Sequence, residues 1–193
     1  VEKSTSLVSD FITGEWDQED ASIDLVVEVT KPKGSPEELG RVKDLLGSFT
    51  TSYSSSGTSR SENVKNGTRL INEKVLYPGD VFSVYEEVTP FTAANGYYMA
   101  GSYLNGQVVD SIGGGICQVS TTLYNTVLRA ELEIVERSPH SMTVSYVDLA
   151  ADAVIAGTYK DFKFRNNTDA PIYIEGYNDG KKVTFNIYGE ETR

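Results

Sequence analysis

Two residue types in this chain could supply nucleophilic chemistry, and each occurs once. Cys117 is the only cysteine and His140 the only histidine among 193 residues. A thiolate is a strong nucleophile, and an imidazole can take the thiol proton and later return it. The two lie 140 − 117 = 23 residues apart, and such a separated pair is the pattern of a Cys–His catalytic site. The alternative is a small buried cysteine that packs as an apolar residue, beside a structural histidine.

Three glycines precede this cysteine, separated from it by Ile116, and a helical pattern follows the glycines. Apolar residues recur at spacings of three and four: Ile116, Val119, Leu123, Val127 and Ala130. The spacing predicts an α-helix that begins at the Gly-Gly-Gly-Ile-Cys motif and ends near residue 131. Cys117 is therefore predicted at a helix N-terminus, where free N–H groups and the helix dipole stabilise an anion. We accordingly expect the pKa of its thiol to lie below that of a free cysteine.

This region resembles the signature of the VanW-domain family. The resemblance is carried by residues 113–125, Gly-Gly-Gly-Ile-Cys-Gln-Val-Ser-Thr-Thr-Leu-Tyr-Asn, and by four shorter motifs: Glu136-Arg137-x-x-His140-Ser141, Tyr77-Pro78-Gly79-x-x-Phe82-Ser83, Asp152-Ala153 and Asp161-x-Lys163-Phe164-x-Asn166-Asn167-Thr168. It covers about residues 49–189. The family takes its name from vancomycin-resistance gene clusters, and some wall-associated members are understood to be L,D-transpeptidases that cross-link peptidoglycan stem peptides through a cysteine. The resemblance implies that activity for this chain.

Several further residues are candidates for orienting the histidine or binding the substrate. A third residue should orient the imidazole, as in other triads; Asp152 is favoured and Asp161 is the alternative, since both lie in the family-like motifs. Arg60 and Arg137 could each bind a stem-peptide carboxylate through a bidentate guanidinium, or serve in ordinary salt bridges. The remaining candidates are backbone or polar groups that would line the cleft, although the polar ones could simply cap the helix: Gly114, Gly115, Gln118, Ser120 and Thr121.

Composition excludes several classes of function. The formal net charge of −11 argues against nucleic acid and against an anionic membrane surface as partners, because both are bound through Lys and Arg. A single cysteine excludes an internal disulfide and a Cys-rich zinc site. The chain has no nucleotide-binding motif and no cluster with metal-ligand spacing, so we expect no cofactor and no metal. It starts abruptly at Val1, so we expect a fragment of a longer protein whose membrane anchor lies outside it.

The pattern of elements predicts an α+β fold, mainly antiparallel strands around a central helix that starts at the cysteine motif. Residues 1–33 are predicted to be the tail of a preceding domain or an accessory strand over Ile23–Val29, and residues 34–193 a VanW-like domain. Ser35 is predicted to cap a helix that ends near Leu46. Further predicted elements are a helix over 63–73, a hairpin over 97–110, and strands at 49–53, 81–85, 132–137, 142–146, 153–155, 161–164, 172–177 and 182–188.

These observations lead to one functional hypothesis and one rival. The hypothesis is an extracytoplasmic L,D-transpeptidase, at the cell wall or the outer face of the cytoplasmic membrane, that forms 3-3 cross-links between stem peptides through a thioester on Cys117. With water as the acceptor, the same site would be a carboxypeptidase. The rival is a non-catalytic wall-binding or scaffold module, in which Cys117 only packs and the glycines only shape a loop.

Overall fold

The computed structural model describes residues 2–14, 16–17, 22–26, 33–104 and 106–192. Clustering of contacts divides the chain into two units, Val1–Lys33 and Gly34–Arg193. The first contains helix α1 (Glu2–Gly14). The strand predicted over Ile23–Val29 is not formed at residues 22–26, which have no regular secondary structure, and residues 27–29 lie outside the described part of the chain. That residues 1–33 end a preceding domain stays a prediction.

The second unit combines short helices with antiparallel strands. Its helices are α2 (Pro36–Leu39), α3 (Thr58–Ile71), α4 (Val84–Val88) and α5 (Ile116–Arg129), and its strands are β1 (Asp44–Ser52), β2 (Lys74–Leu76), β3 (Val81–Ser83), β4 (Met99–Leu104), β5 (Gln107–Ile112), β6 (Glu133–Glu136), β7 (Lys163–Arg165), β8 (Ile172–Asp179) and β9 (Lys182–Gly189). Among the described residues, no helix has both the length and the apolar character needed to cross a membrane.

The strands form three sheets. The largest has the order β1-β9-β8-β2, the second has the order β3-β7-β6, and β4 and β5 form a separate hairpin. Every strand pair in these sheets is antiparallel. The predicted α+β class with mainly antiparallel strands is therefore confirmed.

Helix α5 lies against the four-stranded sheet and against α3. The apolar stripe predicted from its sequence is buried, and Val119, Leu123 and Val127 have no exposed surface. These side chains share one core with residues of the sheet, such as Ile174 on β8 and Phe185 on β9. Burial of this stripe, at about 1.5–3 kcal/mol for each large apolar side chain, fixes the N-terminus of α5 and hence the cysteine.

The first predicted helix of the second unit is shorter than expected. Its start is correct, because the Ser35 side chain accepts from the backbone of Glu38 while the Glu38 carboxylate accepts from the backbone of Ser35. The predicted end near Leu46 is wrong, since α2 ends at Leu39 and β1 already begins at Asp44. Pairing of this segment with β9 outweighs its local helical preference, as tertiary contacts commonly do.

Two other boundaries also differ from the sequence-based expectation, and two predicted strands are absent. Helix α3 begins at Thr58 rather than near Asn63. The strand predicted over 81–85 ends at Ser83, because the Ser83 hydroxyl accepts from the backbone N–H of Glu86 and caps α4. The strands predicted at 142–146 and 153–155 do not form: residues 137–155, which we call the His loop, have no helix or strand.

Candidate active site

Helix α5 places Cys117 as predicted, one residue after its start. Gly115 is the N-cap residue and has φ = +107°, a left-handed conformation that residues with a side chain rarely adopt. Cys117 therefore lies in the first turn, where backbone N–H groups have no carbonyl partner within the helix. The side chain is half-buried, and its Sγ donates to the carbonyl oxygen of Ile155 at 3.5 Å.

The His loop is held along one face of α5 by a regular ladder of contacts. Cys117, Thr121 and Asn125 are spaced by four residues, so they lie on one side of the helix. Their partners on the loop are spaced by two: Cys117 meets the carbonyl of Ile155, Thr121 Oγ1 accepts from the N–H of Ala153 at 3.0 Å, and Asn125 Nδ2 donates to the carbonyl of residue 151 at 2.7 Å. The helix thus positions the loop without strand pairing.

His140 and Asp152 form a tight pair at the end of this ladder. The two atoms His140 Nδ1 and Asp152 Oδ2 are 2.5 Å apart, and the backbone N–H of His140 donates to the same oxygen at 2.6 Å. Burial raises the pKa of Asp152, but the backbone and ring hydrogen bonds from His140 act in the other direction and leave it below its usual value. A carboxylate so held fixes the ring and stabilises an imidazolium.

The structure places the two candidate third residues differently. Asp152 contacts His140, as described. Asp161 instead accepts from the Ser83 hydroxyl at 2.5 Å and from the backbone N–H of Tyr85 at 2.9 Å, so it supports the start of α4. Asp152 is therefore the carboxylate that this geometry brings to the histidine.

Cys117 and His140 line one cavity of about 680 Å³. Its walls come from α3, from the β4–β5 hairpin, from the start of α5 and from the His loop. Arg60, Gly115 and Gln118 also line it. The volume lies within the usual range for small-molecule sites. In this structure the thiol donates its hydrogen bond to the Ile155 carbonyl, and Nδ1 of the imidazole is hydrogen-bonded to Asp152. A direct contact between the thiol and the imidazole therefore stays a prediction.

Four other candidates have defined surroundings. Gln118 is buried; it accepts from Arg60 at 2.8 Å and donates to the carbonyl of Ser52 at 2.9 Å. Ser120 has no exposed surface, and its hydroxyl has no hydrogen-bond partner among the described residues. Arg137 donates to the Asp152 carbonyl at 2.7 Å and to its carboxylate at 3.3 Å. Ser120, Arg137 and Gly114 are not among the residues that line the cavity.

Gly114 packs against the protein itself. A Cβ added there would lie 2.2 Å from the carbonyl oxygen of Ala100 on β4. Its own carbonyl accepts from Asn63 Nδ2 at 2.9 Å. The Asn63 side chain also donates to the carbonyl of Tyr98 and accepts from the backbone N–H of Tyr98. The glycine run is thus clamped between α3 and the hairpin, by an asparagine that the sequence did not single out.

Gly114→Ala is expected to destabilise the protein by about 1–3 kcal/mol, because the new methyl group would force the hairpin backbone away from α5. Thermal unfolding of the purified variant would measure the loss. Gly57→Ala is the matched control, since a Cβ at Gly57 would have nothing within 4 Å. Equal melting temperatures for the two variants would contradict this close packing.

Four tyrosines also line the cavity, and the sequence did not single out any of them: Tyr53, Tyr103, Tyr146 and Tyr159. The ring of Tyr103 stands edge-on to His140, with centroids 6.1 Å apart. Tyr146, on the His loop, is half-buried, and burial raises the pKa of its hydroxyl. The only sequence signal for Tyr103 is the predicted hairpin, in which alternate side chains lie on the same face. Among the described residues, no three His, Cys, Asp or Glu side chains converge as metal ligands would.

The expected depression of the cysteine pKa is wrong for this resting structure. Burial raises the pKa of Cys117 above its ordinary value; the backbone at Ile155 and the charge of Arg60 lower it but do not outweigh burial. Desolvation of the thiolate therefore exceeds the stabilisation expected from its position in the helix. The resting thiol is neutral near pH 7, so a nucleophilic role requires a base at the moment of reaction.

Alkylation of the native protein by iodoacetamide should therefore show a midpoint above about pH 8.5, the value for a free cysteine. The sign follows from burial, which favours the neutral thiol, so the reactive thiolate forms only as the pH rises through the raised pKa. The rate would be followed from pH 5 to 11, with the urea-unfolded protein as the control for an unshifted thiol. A native midpoint below that of the unfolded protein would contradict this assignment.

Comparison with known proteins identifies the family to which the chain belongs. The family model described as "VanW like protein" matches residues 59–188. The chain belongs to the VanW family. Among its relatives, the uncharacterized protein YoaR of Bacillus subtilis (strain 168) is 35% identical over 161 residues, which cover 83% of this chain and 53% of YoaR.

A second VanW-family relative is the vancomycin B-type resistance protein VanW of Enterococcus faecalis (strain ATCC 700802 / V583). It is 28% identical over 134 residues, which cover 67% of this chain and 49% of that protein. The chain thus spans about half the length of these curated relatives. No solved structure matches it at a significant level.

Proposed function

We propose that this VanW-family chain is a cysteine acyltransferase acting on peptidoglycan stem peptides, an L,D-transpeptidase of the cell wall. The observation that carries the proposal is that Cys117 and His140 line one cavity, with Asp152 on the ring of His140, although 23 residues separate the cysteine from the histidine. A nucleophile, a base and a residue that orients the base are the parts that acyl transfer through a covalent intermediate requires. The relationship to a vancomycin resistance protein supports a substrate from the wall.

In the first half-reaction, Cys117 attacks the carbonyl carbon of the third stem residue. His140 takes the thiol proton as the S–C bond forms. The backbone N–H of Cys117 is left to stabilise the developing oxyanion, because the N–H groups of Ile116 and Gln118 donate to the carbonyls of Gly113 and Gly115. The tetrahedral intermediate collapses when the C–N bond to the terminal D-alanine breaks. The proton on His140 goes to the departing amine, and the acyl group remains on sulfur as a thioester.

In the second half-reaction, the side-chain amine of another stem attacks the thioester carbon. His140 accepts a proton from this amine, the new C–N bond forms, and the S–C bond breaks. The proton returns to the sulfur and the free thiol is restored. The product is a 3-3 cross-link; attack by water instead would give a shortened stem. Because burial raises the pKa of Cys117, the attack depends on His140 to remove the thiol proton.

One observation favours the second candidate, a non-catalytic wall-binding module. The Cys117 thiol is half-buried and bonded to a backbone carbonyl, and its pKa is raised, as for a structural cysteine. The two candidates differ in products. Incubation of the purified protein with a stem tetrapeptide whose third residue carries an amine should release D-alanine and yield a dimer or tripeptide by mass spectrometry. Retention of bound but intact tetrapeptide would favour the binding module.

The proposed site of action is outside the cytoplasm, at the cell wall or the outer face of the cytoplasmic membrane, because that is where cross-linkable stem peptides are found. Partners other than stem peptides are not needed for the proposed reaction.

A further inference from the structure

Arg60 lies in the cavity wall with only neutral partners. It comes from α3 and is half-buried. Its Nη1 donates to the Ser56 hydroxyl at 2.6 Å, and its Nη2 donates to Gln118 Oε1 at 2.8 Å. A guanidinium has five N–H donors, so the others have no partner among the described residues. Other arginines differ: Arg41 and Arg165 each pair with a glutamate.

The charge of the cavity is opposite to that of the chain. The whole sequence has a formal net charge of −11. Yet among the described residues that line the cavity there is no Asp, Glu or Lys, and Arg60 is the one permanently charged side chain. Burial lowers the pKa of Arg60, which is the mark of a cation without a compensating anion. A guanidinium remains charged nonetheless, so the cavity offers a fixed positive charge to an anionic ligand.

Arg60 is also close to the reacting sulfur. A Cβ added at Gly115 would lie 2.8 Å from Arg60 Cγ, and the guanidinium bonds to Gln118. These two residues flank Cys117 in the first turn of α5. The charge of Arg60 is also close enough to lower the pKa of the Cys117 thiol, so a carboxylate on the guanidinium would belong to a substrate residue near the carbonyl carbon that Sγ attacks.

We propose that Arg60 recognises the free C-terminal carboxylate of the residue that leaves, so the donor stem must end one residue beyond the bond that Cys117 attacks. The inference rests on the proposed function and adds substrate selection to it. A planar guanidinium with free N–H donors suits a carboxylate, which it can bind in a bidentate manner. A stem longer by one residue would place a neutral peptide group on Arg60 and leave its own carboxylate out of reach.

Binding can be tested without catalysis in a Cys117→Ala background. Calorimetry would compare three tetrapeptides: one with a free C-terminus, one with a C-terminal amide, and one with a free C-terminus whose internal carboxylates are amidated. We expect the C-terminal amide to bind about tenfold more weakly or worse, given the strength of charge-assisted hydrogen bonds. The peptide with internal amides should bind as the first does.

Substitution of the arginine should remove this discrimination. In Cys117→Ala/Arg60→Gln, the acid and the amide should bind within about twofold of each other, and Arg60→Lys should retain part of the preference because it keeps the charge. Arg69→Gln is the matched control: Arg69 lies on the same helix but contacts Asn66 rather than the cavity. Melting curves would establish that each variant folds. If Arg60→Gln does not fold, Arg60→Lys takes its place in the comparison of acid and amide.

The outcomes separate this proposal from the proposed catalysis. Equal binding of acid and amide, a preference that survives Arg60→Gln, a preference that follows the internal carboxylates, or no binding of any peptide would each overturn the role of Arg60. If the preference behaves as expected but the active protein never forms a thioester, the carboxylate subsite stands and the transpeptidase proposal fails.

Discussion

Replacement of Cys117 by alanine is expected to abolish release of D-alanine and formation of cross-links, while the protein stays folded. The proposed acyl group is carried on sulfur, and the chain has no second cysteine to replace it. The fold should tolerate the change, because the loss is limited to one thiol hydrogen bond to Ile155, worth about 0.5–1.5 kcal/mol, and the packing of one half-buried sulfur against the core. Product analysis by mass spectrometry and a thermal melt of the same sample would measure both effects.

Cys117→Ser is the matched control for this substitution. A hydroxyl keeps a donor for the carbonyl of Ile155 and nearly the shape of the side chain, but it is a much poorer nucleophile than a thiol. We therefore expect it to melt like the wild type and to be almost as inactive as the alanine variant. Normal amounts of cross-linked product from the alanine variant would exclude the thioester route.

His140→Ala should slow acyl transfer by about 10²–10⁴-fold at neutral pH, the usual contribution of a general acid–base residue. The raised pKa of Cys117 makes this loss larger than it would be for a preformed thiolate, since the proton must be removed during the attack. Single-turnover rates of thioester formation would measure it. A loss below tenfold would remove His140 from the mechanism.

The pH dependence of this variant gives a sharper test than the rate at one pH. At pH values above the pKa of Cys117, hydroxide removes the thiol proton, so His140→Ala should regain part of the attack step as the pH rises. Asp152→Asn, combined with His140→Ala, should add little further loss, because Asp152 acts through the imidazole that it contacts; residues acting as a unit are not additive. Full additivity would contradict the pairing.

The parts of the fold that the sequence predicted are those governed by local patterns. The apolar spacing along α5 located the helix, and the Ser35–Glu38 capping box located the start of α2. The segment at Asp44 was misassigned because its strand exists only through pairing with β9. Such non-local pairings leave little trace in a single sequence.

The sequence indicates candidate residues for the site but not the geometry that relates them. Cys117 and His140 stood out because each residue type occurs once. The ladder between α5 and the His loop could not be predicted, since it joins side chains spaced by four to backbone groups spaced by two. The direction of the Cys117 pKa was missed for a related reason: burial depends on the walls of the cavity, which come from distant parts of the chain.

The most direct test of the acyltransferase proposal is the intact mass of the protein after brief mixing with a stem tetrapeptide and acid quenching. We expect an added mass equal to the tetrapeptide minus D-alanine, located on the peptide that contains Cys117, and its decay when an amine acceptor is supplied. A protein that binds the tetrapeptide but never gains this mass, at any pH from 6 to 10, would contradict covalent catalysis and leave the binding module as the function.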